Sequence, residues 1–411
     1  MKTDLHNLMQ ELNYDAILIS GPAQHNPPMV YLTGGGHMGQ ADLILKRGTD
    51  GVLFHASMER EEAARTGLPT CGYDRFPLDE RLKAAGADMT LAAVMLYEAM
   101  FRHAGVTAGR VGLFGKTDIG RTFTILQGLQ ARLPEIQFVG MDRENILMLA
   151  MMTKDAAELE RIRRMGKITT EVVGRTAEFL TGHAVKGETL VKADGQPLTI
   201  GDVKPRINLW LAELGADNPE GTIFAIGRDA GIPHSTGNPQ DSIRLGQTIV
   251  YDIFPCEPGG GYFYDFTRTW SLGYATDEAL KLYEDVADVF QTILAELKVN
   301  TPFAEYQKRT CEMFEAKGHP TVKTNPLTEE GYVHSLGHGV GLNIHERPMA
   351  GRGTERDVLA PGSVVTIEPG LYYPSRGMGV RIEDTLYFKE DGSFEIFAPY
   401  SYDFVLPMKP K

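Results

Sequence analysis

At 411 residues, 42% hydrophobic and 23% charged, the chain has an ordinary globular composition and exceeds the roughly 250–300 residues at which single cores stop growing. Its 54 acidic against 41 basic residues give a formal charge of −13, with no run of more than two Lys or Arg, which argues against a nucleic-acid surface. The opening segment MKTDLHNLMQELNY lacks an apolar h-region, and no stretch approaches the ~18 apolar residues of a membrane span, so a cytoplasmic protein with no membrane partner is expected.

From Met1 to about Ala150 short apolar runs, DAILIS (15–20), MVYLT (29–33), DLILK (42–46), GVLF (51–54) and RVGLFG (110–115), alternate with helical stretches. That alternation predicts an α/β domain. His, Asp and Glu do not cluster in it, so packing or oligomerisation is expected of it rather than catalysis. Gly34, Gly36 and Gly39 fit GxGxxG after the strand-like VYLT. A dinucleotide-binding turn must open a helix, whereas the following QADLILKRG reads as strand, so a glycine-rich turn is the better reading.

A second unit begins near Thr153. Asp155 and Glu158 form a capping-box-like start, and Leu159, Ile162, Met165, Val172, Val173 and Leu180 recur at helical steps up to Gly182, which predicts a long amphipathic helix. Further helices fit 201–214, 277–298 and 302–317, with strands between and after them, so residues 151–411 read as α+β. Cys71, Cys256 and Cys311 are odd in number and follow no metal or CxxC spacing, which predicts reduced, mostly buried thiols. Cys256 lies near Asp252, but a soft thiolate has little place among hard oxygen ligands.

The chemistry concentrates in this second unit: Asp252 in YDIF, Asp265 in YDFTRT, His338 in GHGVG, Glu368 in TIEPG and Glu383 in VRIED. Together the four carboxylates would bring about four negative charges into one cleft, a repulsion tolerable when two divalent cations neutralise it. In TIVYDIF alternate side chains share a face, so Asp252 lies with Val250 and Phe254. Asp265 follows across a turn containing Pro258 and Gly259–Gly261, as in a hairpin that sets both acids together. Such a pair alone is weak, because an exposed Asp usually solvates a turn. Glu368, Arg381 and Glu383, however, also sit in apolar strand sequence, where a charge is costly unless paired or metal-bound. For Arg381 and Glu383 a structural ion pair is the alternative.

His338 is flanked by Gly337, Gly339 and Gly341, which would let backbone pass close to an ion or substrate. His345 in HERP and His234 in GIPHSTGN bring further imidazoles to the metal pair, while His25, His37, His55 and His183 read as hydrogen-bonded or surface residues. An oxygen-rich set with one imidazole suits Mn, Co, Fe or Zn. Two such ions would make hydroxide available near neutral pH for attack on an amide or a phosphate ester.

The ordered series YDIF, DFTRT, GHGVGLNIHERP, TIEPG and VRIED resembles the metallopeptidase family that includes methionine aminopeptidase, prolidase and aminopeptidase P. The resemblance covers roughly 153–411, and the preceding domain is similar to that of prolidases, aminopeptidase P and creatinase. It implies an α/β creatinase-like domain at 1–150 and an α+β pita-bread catalytic domain at 151–411. By the same resemblance Asp252 would chelate one ion, Asp265 and Glu383 would bridge two, and His338 with Glu368 would complete the second. Mn2+ is the first choice of metal, with Co2+, Zn2+ or Fe2+ as alternatives. A bridging hydroxide would be the nucleophile and Glu368 would pass its proton to the leaving amine. His345 and His234 would hold the scissile carbonyl or its oxyanion, and Arg381 would steady the bridging acid.

The implied activity is that of a metallo-exopeptidase acting on peptides or dipeptides with proline after the scissile bond, in a homodimer. Tyr372, Phe263 or residues of the first domain would serve in the apolar wall. A metal-dependent lyase or other small-molecule enzyme is the alternative on the same fold. Creatinase-like members replace most of the five ligands, and binding modules of the family carry a degraded site. All five are present here. Two departures stand out: the Asp252–Asp265 interval is longer than is usual in the family, and Met349 follows the HERP proline where some prolidases place a substrate-positioning Arg.

Overall fold

The computed structural model describes residues 3–140 and 145–410. The chain forms two units: the first runs to Met151 and includes Gly259–Gly261, and the second comprises Met152–Pro258 and everything from Tyr262 onward.

The first unit is built on β1 (Ala16–Gly21), β2 (Ala41–Lys46), β3 (Val52–His55), β4 (Thr70–Gly72), β5 (Gly109–Gly115) and β6 (Ile136–Val139), in the spatial order β4-β3-β2-β1-β5-β6. β1 pairs antiparallel with β2 and parallel with β5. Helices Met89–His103 and Ile119–Arg132 start where Asp88 and Asp118 accept hydrogen bonds from first-turn amides, satisfying donors that a helix start leaves free. Their apolar stripes close over the sheet in a core containing Leu18, Ile44, Phe54, Val94, Phe101, Val111 and Leu129.

The run 29–33, expected as a strand, is helical: the helix spans Pro27–Thr33. Prolines in its first turn supply a preset φ and lack an N–H that would have no partner there. Gly34, at φ 79°, closes it with its amide donating to the Val30 carbonyl. The glycine-rich segment therefore follows a helix and leads into a strand, the reverse of a dinucleotide-binding turn.

In the second unit the helix Ala156–Thr181 starts on a reciprocal Asp155–Glu158 capping box and stops at Gly182. Three more helices, Ile200–Glu213, Asp277–Glu296 and Phe303–Ala316, lie within two residues of their expected bounds. The strands are β7 (Ala184–Lys186), β8 (Thr189–Val191), β9 (Thr222–Ile226), β10 (Thr248–Ile253), β11 (Phe266–Leu272), β12 (His338–Gly339), β13 (Glu346–Met349), β14 (Val364–Ile367), β15 (Gly370–Tyr373), β16 (Met378–Arg381), β17 (Asp384–Phe388), β18 (Phe394–Ile396) and β19 (Val405–Leu406). They form a sheet of order β19-β11-β10-β9, a second of order β13-β12-β14-β17-β18, and the pairs β15-β16 and β7-β8. The core beneath them includes Val286, Phe290, Phe303, Leu336, Ile367, Val380 and Leu386. Cys71, Cys256 and Cys311 are buried and joined in no disulfide. Among the described residues no single helix is long and apolar enough to cross a membrane.

Candidate metal centre

β10 and β11 form the expected antiparallel hairpin, with Asp252 directly opposite Thr267 and Asp265 immediately before β11. Asp252 shares its face with Val250 and Phe254, which pack with Ile223, Ala225 and Ala230. Glu368 follows β14, and Glu383 lies between β16 and β17. The Glu383 amide donates to the Thr267 carbonyl at 3.1 Å, and the Thr267 hydroxyl donates to Glu383 Oε2 at 2.6 Å. His338 opens β12, its backbone amide donating to the Thr366 hydroxyl at 3.1 Å. The His338 Nδ1–H donates to the Gly339 carbonyl at 3.0 Å. That bond fixes the tautomer and leaves Nε2 as the ligating nitrogen. Nε2 lies 3.5 Å from Asp265 Oδ2 and 3.3 Å from Glu368 Oε1.

Three carboxylate oxygens in this cleft, Asp252 Oδ1, Asp265 Oδ1 and Glu383 Oε1, are buried and have no hydrogen-bond partner. Native structures rarely leave such atoms unmet, because each forfeits its hydration for nothing. Asp265, His338 and Glu383 each offer a ligand atom, all within 4.8 Å of one another. Hard oxygens with one imidazole suit a divalent cation of the Mn, Fe, Co or Zn group. The residues therefore fit a bound metal.

The electrostatics carry the same strain. Burial, then the neighbouring Asp252, pushes the Asp265 carboxyl well above the usual range, and burial, then Asp265, does the same to Glu383. Asp252 is also raised by burial, against the opposing pull of Arg381. Burial works against charge on His338, but its hydrogen bond and ion pair with Glu368 prevail and carry it up to about 9. Burial opposes the Glu368 charge as well, and the same pair with His338 holds it down at about 2.

All the other expected site residues line the same cleft of about 450 Å³: His234, His345 and Arg381, with Asp252, Asp265, His338, Glu368 and Glu383. The His345 ring stands edge-on to His338 at 4.3 Å between centroids. Burial, then the His338 charge, lowers His345 to about 4, so it is a neutral hydrogen-bonding group near pH 7. Arg381 is buried, donates to Asp252 Oδ2, and reaches the Thr267 hydroxyl at 3.2 Å and the Pro233 carbonyl at 3.3 Å. It thus ties the loop bearing His234 to the acids.

A family model of metallopeptidase family M24 matches residues 160–390, more than half of the chain. The chain belongs to metallopeptidase family M24. It is similar along nearly its whole length to the Xaa-Pro dipeptidase of Pyrococcus furiosus, with 25% identity over 96% of this chain and 97% of that one. Among solved structures it resembles the Xaa-Pro dipeptidase of Bacillus anthracis, at a TM-score of 0.74 and 19% identity over 98% and 97% of the two chains. It also resembles the X-Pro aminopeptidase of Thermotoga maritima, at 0.72 and 22% over 95% and 97%. The two-domain architecture with a pita-bread catalytic unit is borne out, as is the expectation of a metallo-exopeptidase.

Several details of this M24 chain differ from what its sequence suggests. Arg381 contacts Asp252 directly and reaches Glu383 through Thr267, because Thr267 stands across the hairpin from Asp252 and beside Glu383. The glycines around His338 make room for protein backbone: a Cβ at Gly339 would lie 2.1 Å from the Arg347 carbonyl, and one at Gly337 would lie 2.1 Å from that of Thr366. The apolar wall is formed by Ile223, Phe254, Ile344 and Met349 rather than by Tyr372 and Phe263. Tyr372 is fully buried, and its hydroxyl joins Arg381 Nη1 at 2.7 Å to His334 Nε2 at 2.8 Å. His334, overlooked in the sequence, lines the cleft with Nδ1 4.0 Å from Glu368. Its position four residues before His338 in VHSLGH was the signal available.

Proposed function

We propose that this M24 chain hydrolyses the bond between an N-terminal residue and a following proline, in peptides or in dipeptides, using two divalent cations. Asp252, Asp265, His338, Glu368 and Glu383 would hold them, with Mn2+ as the first choice and Co2+, Zn2+ or Fe2+ as alternatives. The observation that carries this reading is the set of unpartnered buried oxygens on Asp252, Asp265 and Glu383, in a chain similar to an Xaa-Pro dipeptidase along nearly its whole length. Bound there, the cations would lower the pKa of a water so that hydroxide is available as nucleophile near neutral pH.

The chain's own groups supply the rest. Glu368 takes the proton from the attacking water and returns it to the proline nitrogen, which must gain a proton to leave. His345, neutral and beside His338, donates a hydrogen bond to the scissile carbonyl oxygen as negative charge develops on it, and His234 does so from the loop held by Arg381. Arg381 fixes Asp252 and, through Thr267, Glu383. Ile223, Phe254, Ile344 and Met349 give the proline ring an apolar surface. Catalysis is assigned to residues 151–411 and a non-catalytic role to 1–150. A homodimer in the cytoplasm completes the reading.

The test is hydrolysis of Gly-Pro, Ala-Pro and Ala-Pro-Ala by metal-stripped protein refilled with Mn2+, Co2+ or Zn2+, beside an Asp265→Ala control. Turnover restored by metal and absent from the control supports the proposal, and the preference between dipeptide and tripeptide assigns its type. Bound metal without cleavage of any of the three would overturn it in favour of a lyase or other small-molecule enzyme.

A further inference from the structure

We propose that Lys154 is a positioning residue for His345, acting through a buried ion pair with Glu346. The inference rests on the role given above to His345. Lys154 Nζ lies 2.9 Å from Glu346 Oε2, with the two side chains 1% and 0% exposed. Glu346 is the chain neighbour of His345 and begins β13. Its other oxygen, Oε1, accepts the Asn343 amide at 2.9 Å and the Asn343 side-chain amide at 3.3 Å.

The carboxylate is thus the core of the turn 341–346. At Gly341 a Cβ would lie 2.2 Å from Glu346 Oε2 and 2.8 Å from Oε1, so the turn closes on the carboxylate because that position has no side chain. The same turn presents Ile344 and His345 to the cleft. A carboxylate this deep is strongly disfavoured as a charge without a cation beside it, and Lys154 is that cation.

Lys154 is itself anchored. Its amide donates to the Gly362 carbonyl at 2.9 Å, and it immediately precedes the Asp155 cap of helix Ala156–Thr181. The first turns of that helix also hold residues flanking the hairpin tip. Tyr262 donates to Glu158 Oε1 at 2.5 Å, and Arg161 grips Glu257 with Nε at 3.0 Å and Nη2 at 2.6 Å. The Phe263 amide in turn donates to the Gly341 carbonyl at 2.8 Å. One short stretch, 154–161, therefore secures both the residues flanking the hairpin tip and the turn that carries His345. Removing the Lys154 charge leaves the buried Glu346 carboxylate without its cation, which reshapes the hydrogen bonds that hold the turn carrying His345.

The experiment compares Lys154→Met, Lys154→Arg and Glu346→Gln in wild-type and His345→Ala backgrounds, with metal content measured in each. Lys154→Met should lower kcat on the order of 10- to 100-fold with KM within about twofold, Lys154→Arg should recover part of the loss, and Lys154→Met should add nothing in the His345→Ala background. Hydrogen exchange on the metal-free proteins supplies an independent readout: amides of 339–347 should exchange faster in Lys154→Met while those of 160–180 stay protected. Should Lys154→Met not fold, Glu346→Gln takes its place. A loss of the same size in both backgrounds, or unchanged exchange over 339–347, would overturn the proposal. If wild-type protein cleaves no proline peptide, the exchange result still decides whether Lys154 orders the turn, separately from the assigned function.

Discussion

Two buried clusters of charge lie side by side in the second unit. Around Arg268 every donor is used: Nε reaches the Ser401 carbonyl, Nη1 the carbonyls of Thr267 and Glu383, and Nη2 Asp384 Oδ1 at 2.9 Å and the Tyr400 carbonyl. Tyr402 donates to the second oxygen of Asp384, and the guanidinium lies over the rings of Phe266 and Tyr402. Asp252, Asp265 and Glu383 are buried too, yet each keeps an oxygen with no partner. Depth alone therefore does not mark a site; three unmet carboxylate oxygens converging on one cleft do. The complete cluster also serves the incomplete one, because Arg268 holds the backbone carbonyls of Thr267 and Glu383, and the Thr267 hydroxyl in turn donates to the Glu383 carboxylate that lines the cleft.

The contrast can be broken by substitution in each cluster. Asp265→Asn should reduce metal-dependent hydrolysis at least on the order of 100-fold, seen in initial rates at saturating metal. Asp384→Asn, which strands the buried Arg268 charge, should destabilise the protein by about 3–5 kcal/mol, read from the shift in urea midpoint. If Asp384→Asn instead proves neutral, the Arg268 cluster is not the satisfied structure described above. Metal at 100-fold its dissociation constant should add about 2.7 kcal/mol of stability for each ion bound, and a chelator should remove it.

pH sharpens the same contrast. Asp265 and Glu383 have folded-state pKa values raised by burial and by neighbouring acids. Their contribution to stability is therefore full below the ordinary carboxylate pKa and is lost as pH rises through the raised values. Metal-free protein should lose thermal stability as pH rises from the ordinary carboxylate pKa to those raised values, and metal-loaded protein should lose less. In metal-free protein Asp265→Asn should flatten the dependence. The smallest effect belongs to the first unit, where Asp42 is buried among the hydroxyls of Ser20, Tyr73 and Tyr97. Tyr97→Phe should destabilise by about 1 kcal/mol and leave hydrolysis unchanged.

The helix beginning at Asp155 was legible because its signals are local: a reciprocal cap, a stripe and a terminal glycine. The hairpin was legible because Asp252 interrupts an apolar strand and Pro258 to Gly261 mark a turn. Residues 29–33 misled because β-branched and aromatic residues outweighed the prolines just before them, which start a helix when Gly34 is free to end it. What the sequence hid is pairwise. Arg381 choosing Asp252, Thr267 relaying to Glu383, and Tyr372 bridging Arg381 to His334 all depend on which strands meet. His334 escaped notice because no glycine flanks it as glycines flank His338.

The five candidate metal ligands of the cleft, Asp252, Asp265, His338, Glu368 and Glu383, are contributed by segments from β10 through to the entrance of β17, drawn from two separate sheets. No fragment short of that span holds the full set, and long-range pairings of this kind form slowly during folding. If the proposed ions bind there, their retention would report that the last strands have found their places, because a chain short of them lacks the complete ligand set.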